Sequence, residues 1–132
     1  MQRTALVCIA KNEDRYIAEW LKYHLALGFD KIFVYQNNWR CTDNSALSLK
    51  NVEWIEYDGE KKQLAAYNDF LNKHFNDFDW VAFFDVDEFL VIKDDELKHW
   101  LSLAYKFYGI AINWKLFGDN NILVDDNSYG VL

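Results

Sequence analysis

Residues 80–92 read WVAFFDVDEFLVI, and they decide how the chain is interpreted. Residues 80–84 form a fully apolar run of strand length, which predicts a strand, and residues 4–10 form a similar run with the pattern of a strand buried on both faces, as in a parallel sheet. The run continues directly into Asp85, Val86, Asp87 and Glu88, without the Gly, Asn or Ser expected of a simple turn. Alternate side chains of an extended chain point to the same side, so Asp85 and Asp87 can converge on one hard cation.

From the residues alone, two interpretations of this acidic segment stay open. It is either a pair of metal ligands or a solvated acidic turn that ends a buried strand. An EF-hand loop is excluded, because Leu90 occupies the position that requires glycine and a strand precedes the loop. The chain contains neither G-x-G-x-x-G nor G-x-x-x-x-G-K-S/T, which leaves dinucleotide cofactors and Walker-type ATP hydrolysis without support.

Strands and helices alternate on both sides of this stretch. The predicted strands are residues 4–10, 31–35, 52–57, 80–84 and 109–114. The predicted helices run from an N-cap at Asn12 to Gly28, over 62–75, and from a cap near Asp94 or Asp95 to about Tyr105. This order predicts an α/β fold with a mostly parallel central sheet. Ligands of such sheets bind beyond the carboxyl ends of the strands, so the loops after Ala10, Tyr35, Tyr57 and Phe84 should border the crevice.

Helical periodicity also predicts which side chains face the core. The inward positions are expected to be Ile17, Leu21, His24 and Leu25 in the first helix, and Leu64, Tyr67, Leu71 and Phe75 in the second, whose far face carries Lys62, Asp69 and Lys73. His24 is interpreted as a core histidine rather than a ligand. Trp39, in a predicted crevice loop, could stack on a base or a sugar.

Composition narrows the class of protein. The 132 residues fit one domain, 1–132, and a hydrophobic content of 52% excludes a disordered chain. The net charge of -7 argues against a nucleic-acid partner. Cys8 and Cys41 make neither a disulfide framework nor a zinc spacing, which favours a reducing compartment. No signal peptide or integral membrane segment is expected, so the predicted location is cytoplasmic.

Three blocks of the sequence resemble a known group of enzymes. They read CIAKNEDRYIAEWLKYHLALGFDKIFVYQNN at 8–38, DWVAFFDVDEFLV at 79–91 and NWKLFG at 113–118. In order and spacing they resemble the GT-A-fold glycosyltransferases, closest to the family 2-like and family 92-like groups. The resemblance implies a three-layer, Rossmann-like nucleotide-diphospho-sugar transferase fold. It also implies a UDP-sugar or similar donor, Mn²⁺ or Mg²⁺ on the D-x-D motif, and sugar transfer to an acceptor hydroxyl.

The resemblance assigns roles to particular positions. Asp85 and Asp87 match the metal and diphosphate motif. The positions that match donor-binding residues are Asn12, Glu13, Gln36, Asn37, Asp43, Gln63, Asn68 and Asp85. Relatives often read Asp-Asn-Gly-Ser after the second strand, where this chain has Gln36-Asn37-Asn38-Trp39, so the nucleotide base stays open.

The acceptor side is less complete. Family members continue past the W-x-x-F-G block into an acceptor-binding half that supplies the catalytic base of inverting enzymes. Here only Asp119, Asp125 and Asp126 follow the last predicted strand, and none is assigned as the base. The expected function is therefore that of the nucleotide-sugar-binding part of a glycosyltransferase. The alternatives are a non-catalytic nucleotide-sugar-binding module and a truncated fragment without turnover.

Similar enzymes use a glycan or lipid-linked acceptor in polysaccharide biosynthesis. By resemblance, a peripheral position at the inner face of a membrane is therefore a second possible location. Oligomeric state, donor sugar and stereochemical outcome are left undetermined by the sequence.

Overall fold

A computed structural model describes residues 2–113 and Lys115. The elements in chain order are β1 (Thr4–Ala10), α1 (Ile17–Leu27), β2 (Lys31–Gln36), α2 (Asn44–Leu47), β3 (Val52–Glu56), α3 (Gln63–His74), β4 (Trp80–Phe83) and α4 (Leu97–Leu103). The four strands form one parallel sheet in the order β3-β2-β1-β4. The predicted α/β fold with a parallel central sheet is confirmed, and helices cover both faces as in Rossmann-like three-layer folds.

Strand β1 lies in the interior of the sheet, paired with β2 on one side and β4 on the other. At its centre Val7 lies opposite Phe33 of β2 and Phe83 of β4. Since both faces of β1 are covered by helices, its side chains have no solvent-facing side, and this explains its continuous apolar sequence.

Alternate side chains of the strands pack into two separate cores. On one face Leu6, Cys8 and Val34 pack with residues of α1 and with Leu97 and Leu101 of α4. On the other face Ala5, Val7, Phe33 and Tyr35 pack against Ala66 and Phe70 of α3. Helices α1 and α4 thus cover one face of the sheet and α3 covers the other. This packing fixes the positions of the carboxyl ends of the strands.

Helix α1 begins at Ile17, four residues later than an N-cap at Asn12 predicts. Asn12 does not cap the helix and has a left-handed φ of 57°. The first turn forms instead where the backbone carbonyl of Glu13 accepts hydrogen bonds from the amides of Tyr16 and Ile17. The predicted end at Gly28 is confirmed, with a φ of 127° that favours glycine.

The inward face predicted for α3 is wrong except at Tyr67, whose ring packs against that of Phe83. Helix α3 instead turns two other residues toward the sheet. Its buried residues are Ala66 and Phe70, whereas Leu64 is 72% and Phe75 78% exposed. Asp69, predicted on the far face, accepts a 2.8 Å hydrogen bond from the Tyr35 hydroxyl. The small Ala66 allows the helix to approach the sheet closely, and Phe70 then fills the space beside Phe33.

Three further predictions need correction. The polar segment after β2 contains the short helix α2. Helix α4 begins at Leu97, two to three residues after the predicted caps, although Asp95 Oδ1 does accept the amide of Glu96 at 2.7 Å. Residues 109–113 are not in a strand, and Trp114 lies outside the described residues. Hydrogen-bonded pairing defines a strand, so apolar sequence alone did not suffice there.

Candidate functional site

The candidate site lies where the strand order reverses. The chain passes from β1 outward to β2 and β3, and then returns to the other side of β1 as β4. The loops after β1 and β4 leave this point in opposite directions and open a crevice between them at the carboxyl ends of the strands. The acidic segment that follows β4 lies at this crevice.

Residues 85–88 form a closed turn rather than the predicted extended segment. The Glu88 amide donates to the Asp85 carbonyl at 3.0 Å, and the Asp85 amide donates to Glu88 Oε1 at 2.7 Å. Val86 is buried while Asp85 and Asp87 are exposed. Both aspartates are therefore exposed to solvent, and the turn rather than the alternation of a strand positions their side chains. Glu88, to which the sequence assigned no role, closes this turn.

Glu13 adds a carboxylate from the loop after β1. Burial raises the pKa of Glu13, and the charges of Asp87 and Asp85 raise it further. The pKa of Asp85 is raised by burial, followed by the charges of Glu88 and Asp87. Neighbouring carboxylates thus contribute to both raised pKa values, and repulsion of this kind is relieved when a cation is shared.

Helix α3 contacts the acidic turn through its first residue. Gln63 Nε2 donates to Asp85 Oδ1 at 3.2 Å and to the Tyr67 hydroxyl at 3.1 Å. Gln63 is therefore brought to the predicted metal motif. Asn68 is exposed and lies about 140° further around the helix from Gln63, so the two side chains point in different directions. Asn12 is exposed in the loop after β1, beside Glu13.

The predicted donor residues after β2 make structural contacts. Gln36 is buried, and its Oε1 accepts the backbone amide of Cys41 at 2.8 Å. Asn37 Nδ2 donates to the carbonyls of Tyr57 and Gly59 at 2.9 and 2.8 Å. These bonds hold the loop after β2 to itself and to the loop after β3.

Asp43 and Trp39 are also engaged within the protein. Asp43 is the N-cap of α2, and its Oδ1 accepts the Ser45 amide at 2.9 Å. Trp39 is only 9% exposed, and its Nε1 donates to Asp14 Oδ2 at 3.0 Å. The expectation that Trp39 could stack on a ligand is therefore wrong, because its ring packs in the core.

Asp14 was missed by the sequence interpretation. Its Oδ1 accepts the backbone amide of Thr42 at 2.7 Å while Oδ2 accepts Trp39. The Thr42 amide is the largest cause of the lowered pKa of Asp14, followed by the Trp39 indole. Asp14 thus connects the loops after β1 and β2. Its position close to a predicted N-cap gave no signal of a partner 25 residues away.

His24 is confirmed as a core histidine. It is fully buried, its Nδ1 lies 2.9 Å from the carbonyl of Trp20, and its Nε2 accepts the amide of Leu90 at 3.3 Å. Burial lowers the pKa of His24 to about 4, so the imidazole is neutral at physiological pH. The base candidates Asp119, Asp125 and Asp126 lie outside the described residues.

The donor atoms at the crevice fit a hard divalent cation. Asp85 and Asp87 offer carboxylate oxygens, the ligands that Mg²⁺ and Mn²⁺ prefer. Within residues 2–113, no group of three or more His, Cys, Asp or Glu side chains is arranged to hold a metal ion. A pair of carboxylates suits an ion that takes its remaining oxygens from water and from substrate phosphates.

Comparison with known proteins identifies relatives over most of the chain. The family model of glycosyltransferase family 92 matches residues 3–129. A glycosyltransferase family 92 protein of Ricinus communis is 30% identical over 61% of this chain and 15% of its own length. Similar proteins from Arabidopsis thaliana and Oryza sativa subsp. japonica are 28% and 29% identical, over 90% and 64% of this chain and 22% and 15% of their own lengths.

The chain therefore spans about a fifth or less of the length of these curated relatives. No solved structure matches it. Among the described residues, every helix is too short or too polar to cross a lipid bilayer.

Proposed function

Because the chain belongs to glycosyltransferase family 92, we propose that it forms the donor-binding part of a metal-dependent glycosyltransferase of the GT-A type. Asp85 and Asp87 act as the D-x-D motif and hold Mn²⁺ or Mg²⁺ against the diphosphate of a nucleotide sugar, of which a UDP-sugar is the first choice. The observation that carries the proposal is the position of the acidic turn, which exposes Asp85 and Asp87 at the point where the strand order reverses.

Charge supports a cation at this position. A diphosphate could not approach four carboxylates unaided, because all the charges have the same sign. A divalent cation relieves both the repulsion among the carboxylates and the repulsion of the diphosphate. The exposure of Asp85 and Asp87 leaves their oxygens accessible from the crevice.

The residues of the chain then have separate roles. Asp85 and Asp87 supply ligand oxygens, Gln63 orients Asp85 through its 3.2 Å hydrogen bond, and Glu13 adds negative charge from the neighbouring loop. A bound cation supplies electrostatic stabilisation of the charge that develops on the leaving diphosphate. Transfer to an acceptor hydroxyl also needs a general base within hydrogen-bond reach of that hydroxyl.

Calorimetric titration of UDP into the 132-residue chain tests the proposal. We expect binding in the presence of Mn²⁺ and none in its absence, and we expect both Asp85→Asn and Asp87→Asn to abolish it. Asp77→Asn is the matched control, because Asp77 is an exposed carboxylate that pairs with His74 beyond the other end of α3. Binding that survives without metal, or in both aspartate variants, would contradict the assignment of the D-x-D motif.

UDP-sugar turnover separates the enzyme from its alternative. Metal-dependent binding with sugar transfer supports the enzyme. The same binding without transfer or hydrolysis supports a nucleotide-sugar-binding module.

A further inference from the structure

Three side chains of α1 contact the backbone of the acidic turn and of the residues just after it. Trp20 Nε1 donates to the carbonyl of Glu88 at 2.8 Å, and the Tyr23 hydroxyl donates to the carbonyl of Leu90 at 2.7 Å. His24 Nε2 accepts the Leu90 amide at 3.3 Å. Positions i, i+3 and i+4 lie on one face of a helix. Three polar atoms on this face of α1 therefore form hydrogen bonds with the backbone of Glu88 and Leu90.

The hydrogen bond from Trp20 connects α1 to the acidic turn through Glu88. Glu88 is joined to Asp85 by two hydrogen bonds, one through its own amide and one through its carboxylate. Fixing the carbonyl of Glu88 therefore fixes the position and tilt of the whole turn. Trp20 and His24 are fully buried, so their rotamers are restricted and their hydrogen-bonding atoms are held in place.

The polar atoms of Trp20, Tyr23 and His24 pair with backbone groups that apolar side chains would leave unpaired. Apolar rings of similar size could pack against Phe84 and Phe89, as His24 does at centroid distances of 5.9 and 5.7 Å. They would leave the carbonyls of Glu88 and Leu90 without partners, and an unpaired backbone group moves toward water when it can. Such movement would carry Asp85 and Asp87 with it.

The hydrogen bonds also define the state of the imidazole. Because Nε2 accepts the Leu90 amide, the ring proton is on Nδ1, which donates to the Trp20 carbonyl. Only the neutral ring can make both contacts. Trp20 is thus linked to the segment twice, once through its indole and once through His24.

We propose that Trp20, Tyr23 and His24 are positioning residues that orient the acidic turn for binding of the cation and the diphosphate. This inference rests on the proposed function, and it assigns to α1 a role in ligand affinity beyond packing against the sheet.

Tyr23→Phe tests the inference with Tyr35→Phe as its matched control. Each substitution removes one tyrosine hydroxyl whose hydrogen bond is part-buried, but Tyr35 bonds to Asp69 on the opposite face of the sheet. We expect similar decreases in melting temperature for both variants. The Kd for UDP at saturating Mn²⁺ should rise about tenfold in Tyr23→Phe, as loss of one well-formed hydrogen bond allows, and stay unchanged in Tyr35→Phe.

A second pair of variants tests the histidine. His24→Gln places an amide oxygen near the position of Nε2 and should retain most of the affinity for UDP, whereas His24→Leu, of similar volume, should not. Equal affinities in Tyr23→Phe and the wild type, or in His24→Gln and His24→Leu, overturn the positioning role while leaving the proposed function intact. A wild-type chain that does not bind UDP with Mn²⁺ overturns both.

Discussion

The side-chain amide of Gln63 lies 3.2 Å from Asp85 Oδ1, so the first residue of α3 holds the first carboxylate of the acidic turn. Helix α1 contacts the same turn from the other face of the sheet, through Trp20 and the Glu88 carbonyl. The turn is therefore held from both layers of the fold, and its orientation depends on two helices.

Gln63→Ala removes the hydrogen bond to Asp85 without disturbing the core. Because Gln63 is exposed, we expect the free energy of unfolding to change by less than about 0.5 kcal/mol. Affinity for UDP with Mn²⁺ should fall about fivefold, since Asp85 loses the donor that orients it. Calorimetry of Gln63→Ala beside Asn72→Ala, an exposed position on the same helix, checks this. Equal losses in the two variants would show that the contact is not specific.

The affinity for Mn²⁺ should depend on pH through Asp85 and Glu13. Their pKa values are raised, so protons compete with the cation at a higher pH than they would at ordinary carboxylates. As the pH falls through these raised values, the carboxylates become neutral and the affinity decreases. The increase in melting temperature on adding Mn²⁺ and UDP should therefore be larger at about pH 7.5 than at about pH 5. An increase that is the same at both values would refute this.

His24 should make the protein less stable in mild acid. The unfolded chain binds a proton at His24 below the ordinary histidine pKa of 6.5, but the folded protein does so only below about 4. Between these values the unfolded state holds more protons, so the free energy of unfolding falls as the pH falls. The loss should reach about 3 kcal/mol near pH 4.

Urea unfolding between about pH 7 and about pH 4 measures this dependence. His24→Gln should flatten the curve, because glutamine does not titrate in this range. Parallel curves for wild type and His24→Gln would argue against a neutral buried imidazole.

Two phenylalanines in and just after α3 provide a test of which face packs on the sheet. Phe70 is fully buried against Phe33, so Phe70→Ala should lower the free energy of unfolding by about 3 to 5 kcal/mol. Phe75 is 78% exposed, and Phe75→Ala should change it by less than about 0.5 kcal/mol. Chemical denaturation measures both free energies of unfolding. A larger decrease for Phe75→Ala than for Phe70→Ala would support the face that the sequence predicted.

The sequence predicted the fold well wherever burial is complete. Strand β1 was predicted with its observed bounds, because a strand covered on both faces must be apolar along its whole length. The face of α3 was not, because Leu64, Leu71 and Phe75 also satisfy a helical period. Periodicity shows that apolar residues line a face of the helix. Which of two apolar faces packs on the sheet depends on how closely the helix backbone can approach it.

The candidate site was only partly predictable for a similar reason. Asp85 and Asp87 were found because their chemistry is local: two carboxylates follow an apolar strand. The contact of Asp14 with Trp39 joins loops 25 residues apart, and no local pattern signals it. The same holds for Trp20 and Glu88, which are separated by 68 residues. Such pairs are set by the sheet order, which places the ends of distant strands side by side.

The most direct test of the central claim is paramagnetic broadening of backbone amide signals by Mn²⁺ in the presence of UDP. We predict that low concentrations of Mn²⁺ broaden the signals of residues 85–88 and of Glu13, and that omitting UDP weakens the effect. The signals of Asp77 and Asp79, before the amino end of β4, should stay sharp. Broadening centred on Asp77 and Asp79, or broadening that UDP does not change, would contradict a cation shared between the acidic turn and a diphosphate.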